Sequence, residues 1–480
     1  MTADSSRRRY LVLAVCCLGL LVVGMDGTIV NVALPTIRQE FGASVSDLQW
    51  IVDAYTVTLG SLLVLAGSTA DRFGRRRVFQ VGLSVFSVGS LLCSVAPTVP
   101  TLIAFRMLQA IGGSMLNPVA ISIVTAVFTD PRERARAIGI WGGVFGLSAG
   151  LGPLVGGLLT QQVGWRAIFW INVPICVVAV LLTRRVVPES RAAAARRPDP
   201  VGQLLVVAVL ALVVGTIIES PWFGRTSWQV PVACVVVLLL ATALVRYERR
   251  RRDPLIDLRF FRSAPFGAAT VLAVTSFASF SGLLFYATLY LQDVRRLSPL
   301  HAGLTTAPMA LAILVLAPLS GRLVATRGPR PSLVAAPVCM AAGAAGLIGL
   351  TAGTAPGWVV GCFVVFAVGF GLVNAPITNT AVSGMPVDQA GVAAAVASTS
   401  RQVGASLGVA VVGAMVNAAG AGGPRAAGIV DAAPPVWWTV VGAGVVMLVL
   451  GLVSTSRWAV GTAARTARLF PDAGRATAPR

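Results

Sequence analysis

The chain has 480 residues, 56% of them hydrophobic and 12% charged, with a mean hydropathy of +0.82. A soluble protein of this length cannot bury so much apolar surface, so the composition selects a polytopic helical membrane protein, and its long continuous apolar runs exclude an outer-membrane barrel. The formal net charge of +20 comes from 38 arginines with no lysine. They sit in short clusters between apolar runs, the positive-inside pattern rather than a nucleic-acid surface.

The N-terminus, Arg7-Arg8-Arg9 followed by Leu11 to Val23, imitates a signal peptide. No A-x-A site follows and the apolar run continues past Asp26, so it reads as an uncleaved first span that starts in the cytoplasm. Fourteen spans are predicted: 11–37, 49–69, 78–96, 100–128, 137–160, 165–187, 203–219, 229–246, 265–291, 300–324, 332–351, 356–383, 390–417 and 436–456. With the N-terminus inside, thirty arginines fall in inner segments, six in outer ones and two within spans. That asymmetry requires an even span number and puts both termini in the cytoplasm. Arg-rich stretches around Pro188–Pro200 and Arg246–Arg262 bracket two spans without polar residues of note, dividing the chain as six, two and six. Gly67, Gly74 and Arg76 after span two recur as Gly321, Gly328 and Arg330 after span ten, a trace of internal repeat.

The chemistry concentrates in span one. Asp26 lies in Gly24-Met25-Asp26-Gly27-Thr28, about 14 Å short of Pro35 along a helix and so near the midplane. A carboxylate at that depth reads as a proton site, against a plainer reading as a permanently neutral acid. Arg106, about 9 Å below the start of span four, is a fixed cation that needs a counter-charge. Asp26 and Asp53 are the acids deep enough to supply it, although Asp53 stands close enough to the outer end of span two to reach headgroups instead. Gly67-x3-Asp71-Arg72-x-Gly74-Arg75-Arg76 is a patterned loop, with Gly74 suited to a tight turn and Asp71 to facing a helix N-terminus. Span five is crowded with Gly146, Gly150, Gly152, Pro153, Gly156 and Gly157, which suits close helix packing and a pliable interface. Arg401 lies within span thirteen with no acid in the spans of the last six. Trp141, Phe145, Tyr286, Asn374 and Arg401 are substrate-contact candidates. His301 reads as a surface histidine and the seven cysteines as packing residues. No nucleotide loop or metal cluster is present, so no cofactor is expected.

These motifs, from Met25-Asp26 through Asn31 to Pro35, Gly67 to Arg77, Arg106 to Gly113 and Gly146 to Gly157, resemble in order those of the fourteen-span drug:H+ antiporters of the major facilitator superfamily. The second, third and fourth are similar to that superfamily's motifs A, B and C. Ala110 stands where motif B usually has Gly, and the second deep acid of span ten found in dication exporters is missing. The resemblance implies an all-α fold of two six-helix bundles plus two extra central spans. Residues 1–190 would form the first bundle, 191–262 the linker with the extra spans, 263–460 the second bundle and 461–480 a cytoplasmic tail. It implies a monomer that is no enzyme and exports small amphipathic compounds against protons across the cytoplasmic membrane. Asp26 would be the proton site, with Arg106 its modulator and Asp53 a further candidate. Gly67, Asp71, Arg72, Gly74, Arg75 and the span-five Gly-Pro set would serve gating, Asp71 latching onto the start of span thirteen. A carrier of a metabolite or nutrient is the alternative within transporters; a lipid-modifying membrane enzyme and a channel fit the single His and the lone deep acid poorly.

Overall fold

A computed structural model describes residues 3–191, 199–223, 228–251, 254–255, 257–383, 390–420 and 425–470. Those residues are almost wholly helical. The first half comprises α1 (Ala3–Phe41), α2 (Val45–Phe73), α3 (Arg75–Ser94), α4 (Val99–Ser114), α5 (Asn117–Val127), α6 (Pro131–Gln162), α7 (Ala167–Trp170) and α8 (Asn172–Val186). Two further helices, α9 (Pro200–Phe223) and α10 (Gln229–Arg250), lead to the second half. That half holds α11 (Ala264–Leu289), α12 (Pro299–Arg327), α13 (Arg330–Ala345), α14 (Pro356–Val382), α15 (Ala390–Ala419), α16 (Arg425–Asp431), α17 (Ala433–Ser454) and α18 (Arg457–Ala467).

Proline chemistry explains two of the breaks. A proline ring clashes with the carbonyl four residues earlier and removes one N–H. Pro118 stands four residues after Ser114, where α4 ends, and Pro174 four after Trp170, where α7 ends. The fourth and sixth spans are therefore each two helices in line.

Thirteen helices among the described residues are long and apolar enough to cross a membrane. The eleventh predicted span is α13, with 16 residues. At 1.5 Å per residue it rises about 24 Å, and turns carry the chain on to Gly349. The chain is thus a multi-pass membrane protein. Its two ends are called here the near face, where α1 starts and α17 stops, and the far face opposite.

The halves meet along two seams, α2 against α15 and α6 against α12. In α6 the glycines divide between neighbours. Gly152 and Gly156 abut Thr28 and Ile29 of α1, while Gly150 abuts Ala310 and Gly157 abuts Pro299 and Leu300 of α12. A Cβ on Gly150 would stand 2.6 Å from the Ala310 Cβ, and one on Gly157 2.5 Å from the Pro299 carbonyl oxygen. Gly303 of α12 returns the contact against the Pro153 carbonyl. Gly146, further toward the near face, meets only Leu314 and Ile313 at 3.9–4.0 Å. A Cβ on Gly139, Gly142, Gly143 or Gly321 would meet nothing within 4 Å.

Polar contacts reinforce the far face. Gln292 Nε2 donates to the Val32 carbonyl at 2.8 Å and Gln49 Nε2 to the Ala410 carbonyl at 2.8 Å. The Leu300 N–H donates to Gln161 Oε1 at 3.3 Å, and Arg38 stands 3.6 Å from Asp293. Among the described residues, these contacts between the halves concentrate at the far face.

The extra pair is less featureless than its sequence. Gln203 Nε2 donates to the Ser61 carbonyl at 2.5 Å, and Trp50 Nε1 to Glu219 Oε1 at 2.8 Å. Both bonds tie α9 to α2, and α9 also packs on α15. The α10 helix packs on α9 alone to any extent, and none of its apolar stretch is buried.

The seam makes a direct test. Gly157→Val overpacks a backbone contact and is expected to destabilise the purified protein by about 1–3 kcal/mol. Gly142→Val on the same helix meets open space and leaves the melting temperature unchanged. Equal melting temperatures for the two variants would refute the packing assignment.

Candidate functional site

Asp26 and Arg106 lie in the middle of the first half, 0% and 1% exposed. Arg106 Nη1 stands 2.5 Å from Asp26 Oδ2. The other carboxylate oxygen accepts from Gln109 Nε2 at 2.8 Å and from Asn172 Nδ2 at 3.0 Å. Ser90 Oγ joins the two amides, accepting from Gln109 at 2.6 Å and Asn172 at 3.0 Å. Arg106 also donates to Gln109 Oε1 at 2.6 Å and to the Ile51 carbonyl at 3.3 Å. The Tyr55 ring lies 4.1 Å from its guanidinium carbon and the Phe169 ring 5.8 Å. The carboxylate, carried by α1, is held by α4 and α8, whose amides α3 bridges, and the cation is wrapped by α2 and α7.

Local sequence explains this convergence. Arg106 and Gln109 are three apart on α4 and so share a face. Gly89 lets α3 come against α4: a Cβ there would stand 2.6 Å from Gln109 Cα, and the neighbouring Ser90 reaches the Gln109 amide. Asn172 is the first residue of α8, just past the break that Pro174 imposes. The motif reading found Asp26 and Arg106 but assigned nothing to Ser90, Tyr55 or Asn172. Their signal was a polar atom in an otherwise apolar span, since buried polar groups require partners.

A buried ion pair is stable only with good geometry and with its remaining donors satisfied. Here Arg106 Nε and Nη1 and both Asp26 oxygens are engaged, while Tyr55 Oη and Asn172 Oδ1 beside them have no hydrogen-bond partner among the described residues. Adding a proton to Asp26 cancels the pair and strands the guanidinium with Ile51, Gln109 and the Tyr55 ring. The cluster therefore has two electrostatic states that require different surroundings.

Asp53 is also fully buried, on the side of α2 that faces α15. Its Oδ1 accepts from Thr56 Oγ1 at 3.4 Å, and its Oδ2 has no hydrogen-bond partner among the described residues. Ser406 of α15 is its neighbour across the seam. Thr56 and Ser406 both line a cavity of about 30 Å³ closed by Gly60 and Leu407 and by Val214 of α9.

Gly74 takes φ +111°, and a Cβ there would stand 2.7 Å from Glu189 Oε1. Glu189 accepts from the Arg76 N–H at 3.1 Å and lies 3.8 Å from the Arg76 and Arg77 guanidiniums. The sequence reading assigned no role to this acid. Asp71 pairs with Arg75 of its own loop at 2.9 Å, and Arg75 also reaches the Ser122 carbonyl at 3.4 Å. Arg72 is exposed beside Phe73, and a Cβ on Gly67 would meet only Pro118 within the same half. Residues 384–389, just before α15, lie outside the described residues, so the expected partner region of Asp71 falls partly outside them.

The substrate-contact candidates separate. Arg401 is half-buried, donating to Ser398 Oγ at 3.1 Å and to Thr378 Oγ1, with its Nε unpartnered among the described residues. Asn374, one turn from Thr378, leaves its Oδ1 unpartnered, and Trp141 leaves its indole N–H so. Tyr286 is buried, donating to the Ile429 carbonyl at 2.7 Å and packing edge-on to Trp437. The side chain of Phe145 lies outside the described residues. Among the described residues no group of three His, Cys, Asp or Glu is arranged for a metal.

Comparison with known proteins agrees with this architecture. A family model described as Major Facilitator Superfamily matches residues 16–409. The multidrug resistance protein Stp of Mycobacterium tuberculosis is 34% identical over 86% of this chain and 77% of its own length. The tetracenomycin C resistance and export protein of Streptomyces glaucescens is 35% identical over 85% and 76%. Among solved structures, the xylose transporter XylE of E. coli in a partially occluded inward-open conformation superposes with a TM-score of 0.63 at 15% identity, over 93% of this chain and 98% of that one. A bacterial homologue of the human lysosomal transporter Spinster, inward-facing and unoccupied, gives 0.64 at 17%, over 96% and 98%. With thirteen membrane-length helices among its described residues, four motifs in order and relatives of this kind along most of its length, the chain belongs to the major facilitator superfamily, in its fourteen-span drug-efflux family.

Proposed function

We propose that this protein exports amphipathic drug-like compounds across the cytoplasmic membrane in exchange for protons, as a monomer with both termini in the cytoplasm. The carrying observation is the Asp26 carboxylate, wholly buried among the spans and matched by one guanidinium and two amides. A carboxylate so placed gives a transporter a chargeable group whose protonation alters helix contacts. The printed names of the relatives, resistance and export proteins among them, support drug-like cargo. In this reading the near face is cytoplasmic and the structure stands open toward it. A compound enters there, the near face closes, and a proton arriving at Asp26 from outside resets the cycle. Asp53, at the seam, is the second carboxylate through which proton and cargo are linked. Trp141, Asn374 and Arg401, each with an unclaimed polar atom, supply substrate contacts. Asp71 leaves Arg75 to meet the start of α15 when the near face closes.

Three experiments bear on these assignments. Asp26→Asn is expected to abolish drug-driven proton movement in proteoliposomes carrying a pH gradient while leaving drug binding measurable. Uphill transport by that variant would move the proton elsewhere. Removing one member of a buried pair costs about 3–5 kcal/mol, so Asp26→Asn and Arg106→Gln should each lower the melting temperature, and the double variant should recover part of that loss. Simple additivity would dissolve the pair. For orientation, a cysteine replacing Thr354 at the far face should react with an impermeant maleimide on intact cells, and one replacing Ser456 should not; the reverse result inverts the topology.

A further inference from the structure

A cavity of about 260 Å³ opens at the near face of the second half, where α11, α12, α13, α14, α17 and α18 come together. It is several times the roughly 30 Å³ that one water occupies in the liquid. Arg327 and Arg330 line it, with Asn379, Thr380, Ser383 and Thr455, and none of the described residues lining it is acidic. Neither arginine makes an ion pair among the described residues, whereas the corresponding basic loop of the first half spends Arg75, Arg76 and Arg77 on Asp71 and Glu189.

Two further observations point to an anion. Thr380 is 3% exposed, and its hydroxyl has no hydrogen-bond partner among the described residues. The α13 helix, 16 residues long, begins at the cavity with Pro329 as N-cap, no side-chain cap and no acid in its first turn. Ser332 in that turn is fully buried with its hydroxyl likewise unpartnered. An uncapped helix N-terminus attracts negative charge, and guanidinium forks match phosphate oxygens. Two exposed arginines without an acidic partner among the described residues, an uncapped helix end and a buried unpartnered hydroxyl thus share one cavity.

We propose that this cavity binds a phosphate group, supplied by an anionic phospholipid of the adjoining leaflet. The guanidiniums of Arg327 and Arg330 and the Thr380 hydroxyl donate to its two anionic oxygens. The cavity lies level with the ends of the spans, where headgroups stand, and a bound headgroup would tie α12, α13 and α14 together at that face. The site is independent of the cargo and of proton coupling.

The test uses the full chain, purified in a neutral detergent and stripped of lipid. Short-chain phosphatidylglycerol, its phosphatidylcholine counterpart and inorganic phosphate are titrated separately by native mass spectrometry and thermophoresis. Phosphatidylglycerol is expected to bind about tenfold tighter than phosphatidylcholine, whose choline the arginines repel. The Arg327→Gln/Arg330→Gln variant should lose about tenfold in that affinity, Arg327→Lys/Arg330→Lys less, and Thr380→Val severalfold. Arg322→Gln, on the same helix but outside the cavity, should bind as the parent does. Competition by inorganic phosphate supports the site. Phosphate binding without phosphatidylglycerol binding also supports the phosphate site but makes its source soluble. Equal affinity for the two lipids with no phosphate binding, or a double Gln variant that binds as the parent does, overturns the proposal.

Discussion

The first half is arranged around one ion pair, Asp26 with Arg106, buried away from the solvent-exposed surface. An ionised carboxylate in such a place costs several kcal/mol unless its lone pairs are filled. Three helices contribute to filling them, α4 through Arg106 and Gln109, α8 through Asn172 and α3 through Ser90, which bridges the two amides. The broken spans and close glycine contacts follow from the same demand. Pro174 ends α7 so that Asn172 starts a new helix at the carboxylate, and Gly89 brings α3 near enough for Ser90 to reach Gln109. Because so many elements converge on one charge, neutralising it perturbs the packing of the bundle rather than a single contact.

That coupling matters because the halves are unequally joined. At the far face, glycine contacts and polar bonds lock α6 to α12, α2 to α15 and α1 to the end of α11. Toward the near face, a Cβ on Gly139, Gly142 or Gly143 of α6 would meet none of the described residues within 4 Å. The same helix thus carries a smooth surface used at one end and vacant at the other. Small residues let two backbones approach with little steric cost, which suits the alternation proposed for this seam.

Much of this was legible in the sequence. Long apolar runs gave the spans, and the depth of Asp26 and Arg106 singled them out because a charge in a span must have a partner. The Ser90 and Asn172 contributions were obscured because a lone hydroxyl or amide in a span is commonly satisfied by its own helix; their meaning depends on tertiary convergence. Glu189 was hidden by distance, standing more than a hundred residues from the loop it anchors. The eleventh span illustrates another limit. Residues 332–351 read as one apolar segment, but α13 stops at Ala345 and the chain continues in turns through its glycines. Asp53 was ambiguous between headgroup and interior because sequence supplies depth along an axis but not the azimuth, and azimuth turns it toward α15.

The added helices have a consequence for how molecules dissolved in lipid meet the transporter. Both polar anchors of α9, Gln203 and Glu219, grip α2 rather than α15. The side-chain anchors of the pair are thus made to the first half, while its body lies across the line where α2 meets α15. One flank of the protein is screened from the acyl chains by this awning. The opposite flank, where α6 meets α12, has no such cover among the described helices. A compound partitioned into the bilayer thus faces a molecule with one shuttered side and one bare side, so lateral approach is polarised by helices that contribute nothing to the buried charge.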